Sequence, residues 1–104
     1  MTVLSVRPTT TPVVEVVGAL DGTAVARVRE RLDAAQAEQP AHLVVDLSQC
    51  PFVDAAALAM LLECHRRACR HAGVLTLASC SPRVLRLLSL TGLRGVFDLT
   101  GPVS

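Results

Sequence analysis

Apolar runs of strand length alternate along this chain with segments of helical spacing, and that alternation restricts the fold more than any other feature. The β-branched run Val13 to Leu20 (VVEVVGAL), the run His42 to Leu47 (HLVVDL) and the run Val74 to Ala78 (VLTLA) each read as a strand. A last short strand is predicted over Val96 to Leu99, and a first edge strand over residues 2–7 (TVLSVR). Between them lie three helical segments. Thr23 is the predicted N-cap of the first, whose apolar stripe is Val25, Val28, Leu32 and Ala35; Pro40 ends it. Asp54 is the predicted N-cap of a second helix of about 18 residues, with Gly73 past its end as the left-handed cap. Ser81-Pro82 opens the third, with Ser at the cap and Pro at the first helical position, and Gly92 closes it.

The order β-β-α-β-α-β-α-β requires parallel pairing through right-handed crossovers. The predicted fold is therefore α/β: a mixed, mostly parallel sheet of about five strands with three or more helices, forming one domain over residues 1–104. Hydrophobic residues make up 51% of the chain, enough for a core without covalent staples.

Composition excludes several function classes. Ten arginines against nine carboxylates leave a net charge of +1, too weak a field to recruit DNA or an anionic membrane. Phe52 and Phe97 are the only aromatic residues, so platforms for stacking bases are missing. The longest apolar run, Ala55 to Leu62, is far short of the ~20 residues that span a bilayer, and the first 17 residues carry no apolar signal core. The reading is a cytoplasmic protein with reduced thiols that neither inserts in a membrane nor binds nucleic acid.

No enzyme motif is present: there is no glycine-rich phosphate loop, no nucleophile elbow and no Ser/His/Asp set in a suggestive context. Neither a metal nor another cofactor is expected. The cysteines Cys50, Cys64, Cys69 and Cys80 include no C-x-x-C pair. Cys64 and Cys69 stand about 140° apart around a helix, and Cys64 and His71 lie about 10 Å apart along it, too far to share one ion. Cys64 or Cys69 reads as a small buried hydrophobe. Cys50 and Cys80 each follow the carboxyl end of a strand, which makes them a candidate redox pair at one end of the sheet. Arg66, Arg67 and Arg70 form a basic patch on the second helix, read as a solvated face.

Two stretches carry more than a generic α/β pattern. VVDLSQCPFVDAAALAMLLECHRRA, residues 44–68, resembles the central segment of STAS domains, where Asp-Leu-Ser leads through a loop to Phe-Val-Asp, then Ser-Ser-Gly and a long helix. GVLTLASCSPRVLRLLSLTGLRGVFDL, residues 73–99, is similar to the closing strand, Ser-Pro-initiated helix, Thr-Gly-Leu and final strand of the same domains. Gly18-Ala19-Leu20-Asp21 is a weaker match to the family's Gly-Glu-Leu-Asp. In this order and spacing the chain resembles the anti-sigma factor antagonists of bacteria over nearly its whole length.

That resemblance implies a non-enzymatic, partner-switching module. Such proteins bind an anti-sigma factor that is also a serine kinase and so free a sigma factor for transcription. The kinase phosphorylates the second Ser of Asp-Ser-Ser-Gly, and the phosphorylated form no longer binds. Here Asp54 matches the family Asp, but Ala55, Ala56 and Ala57 stand where Ser-Ser-Gly is usual. Ala56 takes the phosphoacceptor position without a hydroxyl, so the resemblance implies a surface held in the unphosphorylated, binding-competent form. The added methyl of Ala57 falls where a partner's backbone approaches. The implied docking surface is Asp21, Gly22, Ser48, Gln49, Cys50, Asp54, Ala55 and Ala56, on a monomer or weak dimer. The implied partner is an anti-sigma factor of the serine-kinase type or another regulatory protein; the alternative roles for the chain are a STAS accessory subunit of a lipid-transport ABC system, or a structural subunit of a larger signalling assembly.

Overall fold

The computed structural model describes residues 11–103. In chain order the elements are β1 (Val13–Val17), α1 (Gly22–Glu38), β2 (His42–Gln49), α2 (Ala55–Cys69), β3 (Val74–Ala78), α3 (Pro82–Leu90) and β4 (Asp98–Thr100). The edge strand expected over residues 2–7 lies outside the described residues. Within them the sheet has four strands in the order β1-β2-β3-β4, and every pairing is parallel. The mixed character expected from five strands is thus not seen among the described strands.

Spatial order that follows chain order has a direct consequence. Parallel βαβ crossovers are right-handed almost without exception, which puts all three helices on the same face of the sheet. The strands record this in their burial. Val14 and Val16 of β1, Leu43, Val45 and Leu47 of β2, and Leu75 and Leu77 of β3 are buried beneath the helices. Their neighbours Val13, Glu15, Val17, Val44, Asp46, Thr76 and Asp98 occupy the opposite face and are exposed or half-buried. Leu32 of α1, Leu61 of α2 and Leu88 of α3 are fully buried against the inner face. Each such leucine contributes roughly 1.5–3 kcal/mol relative to leaving it in water.

Several element boundaries differ from the sequence reading. The first described strand stops at Val17, because Gly18 takes φ +90°, and Leu20 makes only an isolated bridge to Val53. Helix α1 begins at Gly22, with Asp21 and not Thr23 in the capping position. Thr23 lies inside the first turn. Helix α2 has 15 residues, shorter than expected. Its left-handed terminal residue is Ala72, at φ 60°, and Gly73 N–H returns to the Ala68 carbonyl at 2.9 Å. Gly73 is needed for another reason: a Cβ there would stand 1.7 Å from the Ala41 carbonyl oxygen. The last strand begins at Asp98, two residues later than expected.

Helices α1 and α2 are locked to each other by a polar junction. Gln36, 7% exposed, donates from Nε2 to the Cys64 carbonyl at 2.9 Å. Arg67 donates to Asp33 Oδ1 at 2.8 Å and to Gln36 Oε1 at 3.2 Å. Arg67 therefore belongs to the helix junction and not to a free basic patch. Arg66 stands 4.0 Å from Glu63 at the surface, and Arg70 is exposed.

Candidate functional site

Parallel strands deliver their carboxyl ends, and the amino ends of the helices that follow, to one side of the domain. The loops 18–21, 50–54 and 79–81 meet there. Leu20 N–H donates to the Phe52 carbonyl at 2.8 Å, and Asp54 N–H donates back to the Leu20 carbonyl at 3.2 Å. This short bridge ties the loop before α1 to the loop before α2.

Asp54 completes the connection. Its backbone is extended, as an N-cap requires, and Oδ1 accepts from Ala57 N–H at 2.8 Å. The other oxygen, Oδ2, stands 3.4 Å from Gly22 N–H, at the start of α1. One carboxylate thus serves two helix amino ends, where unpaired N–H groups and the helix dipole both favour negative charge. Asp21 caps α1 by position alone; its side chain makes no capping bond, and it is exposed. Its carboxylate is left free for other contacts.

Ala55 and Ala56 follow in the first turn of α2 and are exposed, whereas Ala57 is fully buried. The Ala57 methyl therefore packs in the core and meets no partner, which corrects its expected place at the surface. Gly22, Asp21, Asp54, Ala55 and Ala56 form one contiguous patch. Ser48 and Gln49, exposed at the end of β2, border an open depression of about 550 Å³ that Cys50, Pro51 and Ser81 also line. Ser81 Oγ accepts from Val84 N–H at 3.1 Å as the α3 cap and donates to the Pro51 carbonyl at 3.3 Å. Arg83 lies with its guanidinium carbon 4.5 Å from the centre of the Phe52 ring.

Cys50 departs from its expected role. It is 1% exposed and donates from Sγ to the Phe52 carbonyl at 3.3 Å, so it supports the loop from beneath and is not a surface contact. Cys50 and Cys80 lie at the same end of the sheet, in the loops that follow adjacent parallel strands, and both thiols are free. Burial pushes both thiols above their ordinary range, and a charge on Cys50 pushes Cys80 further the same way. Burial also raises the Cys64 thiol, while Cys69 is exposed beside His65, with Sγ 3.3 Å from Nε2. Cys64 is thus the buried hydrophobe of that pair. Among the described residues no three His, Cys, Asp or Glu side chains are grouped to hold a metal, and no helix is long and apolar enough to cross a membrane.

The neighbours missed from sequence are Ser81, Arg83 and Phe52. Ser-Pro marks the start of α3, but nothing in the sequence places Arg83 over a ring 31 positions earlier.

The fold matches known structures closely. An anti-sigma factor antagonist, SpoIIAA, in its unphosphorylated form superposes with a TM-score of 0.77 at 21% identity, covering 94% of this chain and 86% of that one. An anti-sigma-factor antagonist (STAS) domain protein from Planctomyces limnophilus gives 0.70 at 25% identity, covering 78% and 71%. A sulfate transporter family protein from Wolinella succinogenes gives 0.73 at 20% identity, covering 92% and 80%. No curated protein matches the chain. The model of the STAS domain matches residues 3–103. With that match over nearly its full length, and with superpositions that agree in fold, the chain belongs to the STAS domain family.

Proposed function

We propose that this protein is a non-enzymatic docking module that engages an anti-sigma factor of the serine-kinase type and so regulates sigma-factor-dependent transcription. The observation that carries the reading is the Asp54 junction. It fixes the amino ends of α1 and α2 side by side and presents Asp21, Gly22, Ala55 and Ala56 outward. Ser48 and Gln49 extend this surface along the adjoining loop. The likeness to anti-sigma factor antagonists supports the choice of partner.

Ala56 stands at the phosphoacceptor position in this reading. A phosphate there would add nearly two negative charges and a tightly held hydration shell to the interface. Alanine keeps the turn small and neutral, so the protein stays in its binding-competent form in the presence of ATP. The test mixes the protein with the cognate anti-sigma kinase and ATP. The expected result is a stable complex without phosphate incorporation; phosphate on α2, or dissociation driven by ATP, contradicts the reading.

A second reading is an accessory STAS subunit of a lipid-transport ABC system, in which the same surface docks the ATPase; the likeness to a sulfate transporter family protein shows only that the fold also occurs among transport proteins. Binding to that ATPase and not to the kinase selects it.

A further inference from the structure

Charge is divided unevenly along this chain. Eight of the nine carboxylates precede residue 64, whereas residues 64–97 contain Arg66, Arg67, Arg70, Arg83, Arg86 and Arg94 and no Asp or Glu. The folded chain sorts these arginines further. Arg67 is consumed by the α1–α2 junction. Arg83 and Arg86 form no ion pair among the described residues, and both are exposed.

They share a face of α3. Positions 83, 86 and 90 are offset by three and seven residues and fall on one side of the helix, while Val84 and Leu88 turn inward and are buried. The third member of that outer face is Leu90, 74% exposed and the most open of the large apolar side chains among the described residues. Two arginines without ion pairs that precede an open leucine on one helix face, with an aromatic ring against the first of them, have the composition of an interface core and not of an ordinary solvated helix. The face is also continuous with the docking turn. Arg83 rests on Phe52, two residues before Asp54, and the α3 cap Ser81 donates to Pro51.

We propose that the outer face of α3, through Arg83, Arg86 and Leu90, binds an acidic amphipathic segment of the docking partner. This rests on the docking reading above in treating the two faces as one interface. Carboxylates of the segment meet the two guanidinium groups, which can each donate a bidentate pair of hydrogen bonds, and an apolar side chain of the segment covers Leu90. An acidic peptide fits better than a nucleic acid. The patch holds only two free arginines, and Phe52 is already covered by Arg83 and offers no platform for a base.

The test titrates the full chain with a labelled peptide of about 20 residues carrying Glu and Leu at helical spacing. Binding is followed by fluorescence anisotropy and by amide chemical shifts. Shifts are expected at Arg83, Arg86 and Leu90, with affinity falling between about 50 and about 300 mM NaCl. The double reversal R83E/R86E is expected to weaken binding by roughly tenfold or more, and the charge-matched control R66E/R70E by less than about threefold. Equal losses in the two variants overturn the proposal, as does tighter binding of duplex DNA or of phosphatidylglycerol vesicles. Concentration-dependent self-association through α3 without peptide overturns it too. Matching thermal unfolding of the variants keeps misfolding out of the comparison. A kinase complex formed equally well by wild type and R83E/R86E removes the α3 surface and leaves the docking turn standing. Peptide binding localised to α3 with no kinase complex does the reverse.

Discussion

The Asp54 carboxylate joins the starts of two helices, with Oδ1 2.8 Å from Ala57 N–H and Oδ2 3.4 Å from Gly22 N–H. Its removal has two separable effects. Asp54→Ala is expected to lower stability by about 1 kcal/mol, the usual worth of an N-cap, read from the urea midpoint. Asp54→Asn retains an accepting oxygen and is expected to lose less than half of that. Partner affinity is expected to fall further than stability in the alanine variant, because Gly22 and Ala56 are then no longer held in register.

Restoring a hydroxyl at position 56 tests the docking reading from the other side. Ala56 is exposed in the first turn of α2, so Ala56→Ser introduces no clash and is expected to change stability by under about 0.5 kcal/mol. Incubated with the kinase and ATP, this variant is expected to take up phosphate and to leave the complex, while wild type does neither. Mass spectrometry of the intact chain reads the outcome.

Gly73 offers a test of the fold that is independent of partners. A Cβ at this position meets the Ala41 carbonyl oxygen at 1.7 Å, a backbone atom that cannot rotate away. Gly73→Ala is expected to destabilise by at least about 1–3 kcal/mol, the range for overpacking, and to disturb the start of β3. Gly95→Ala, where a Cβ meets nothing within 4 Å, is the matched control and is expected to unfold like wild type.

Alkaline pH should weaken the fold. Cys50, Cys64 and Cys80 all have thiols raised above the ordinary value of 9.0, with burial the leading cause. The folded chain therefore holds these protons after the unfolded chain has released them. Their contribution is intact below about pH 8.5 and is lost progressively as pH rises above it, since the unfolded state then binds fewer protons. Urea midpoints measured from neutral pH upward are expected to decline over this window. A Cys64→Ala variant should decline less steeply, and an unchanged slope would count against burial of that thiol.

Much of this architecture was legible in the chain itself. The runs beginning at His42 and Val74 are strands because their apolar residues are continuous or alternate, and the spacing of Val25, Val28 and Leu32 gives the buried stripe of α1. Asp54 and Ser81 were readable as caps because capping is local: each accepts from the N–H three residues on. Thr23 misled for the same reason. Asp21 and Thr23 are both acceptable caps by type, and the bridge between Leu20 and Val53 fixes which of them starts the helix.

Local chemistry thus determined the elements and their order, since these depend on residues within a few positions of one another, and the alternation of strand and helix implied parallel pairing. Tertiary structure alone decided which surface they make. It buried Cys50 and Ala57, drew Arg67 into the helix junction, set Arg83 over Phe52 and turned the second Asp54 oxygen toward Gly22. Each of these is a contact between segments far apart in the chain. Sequence periodicity specifies the face of an element, not the neighbour that face will meet.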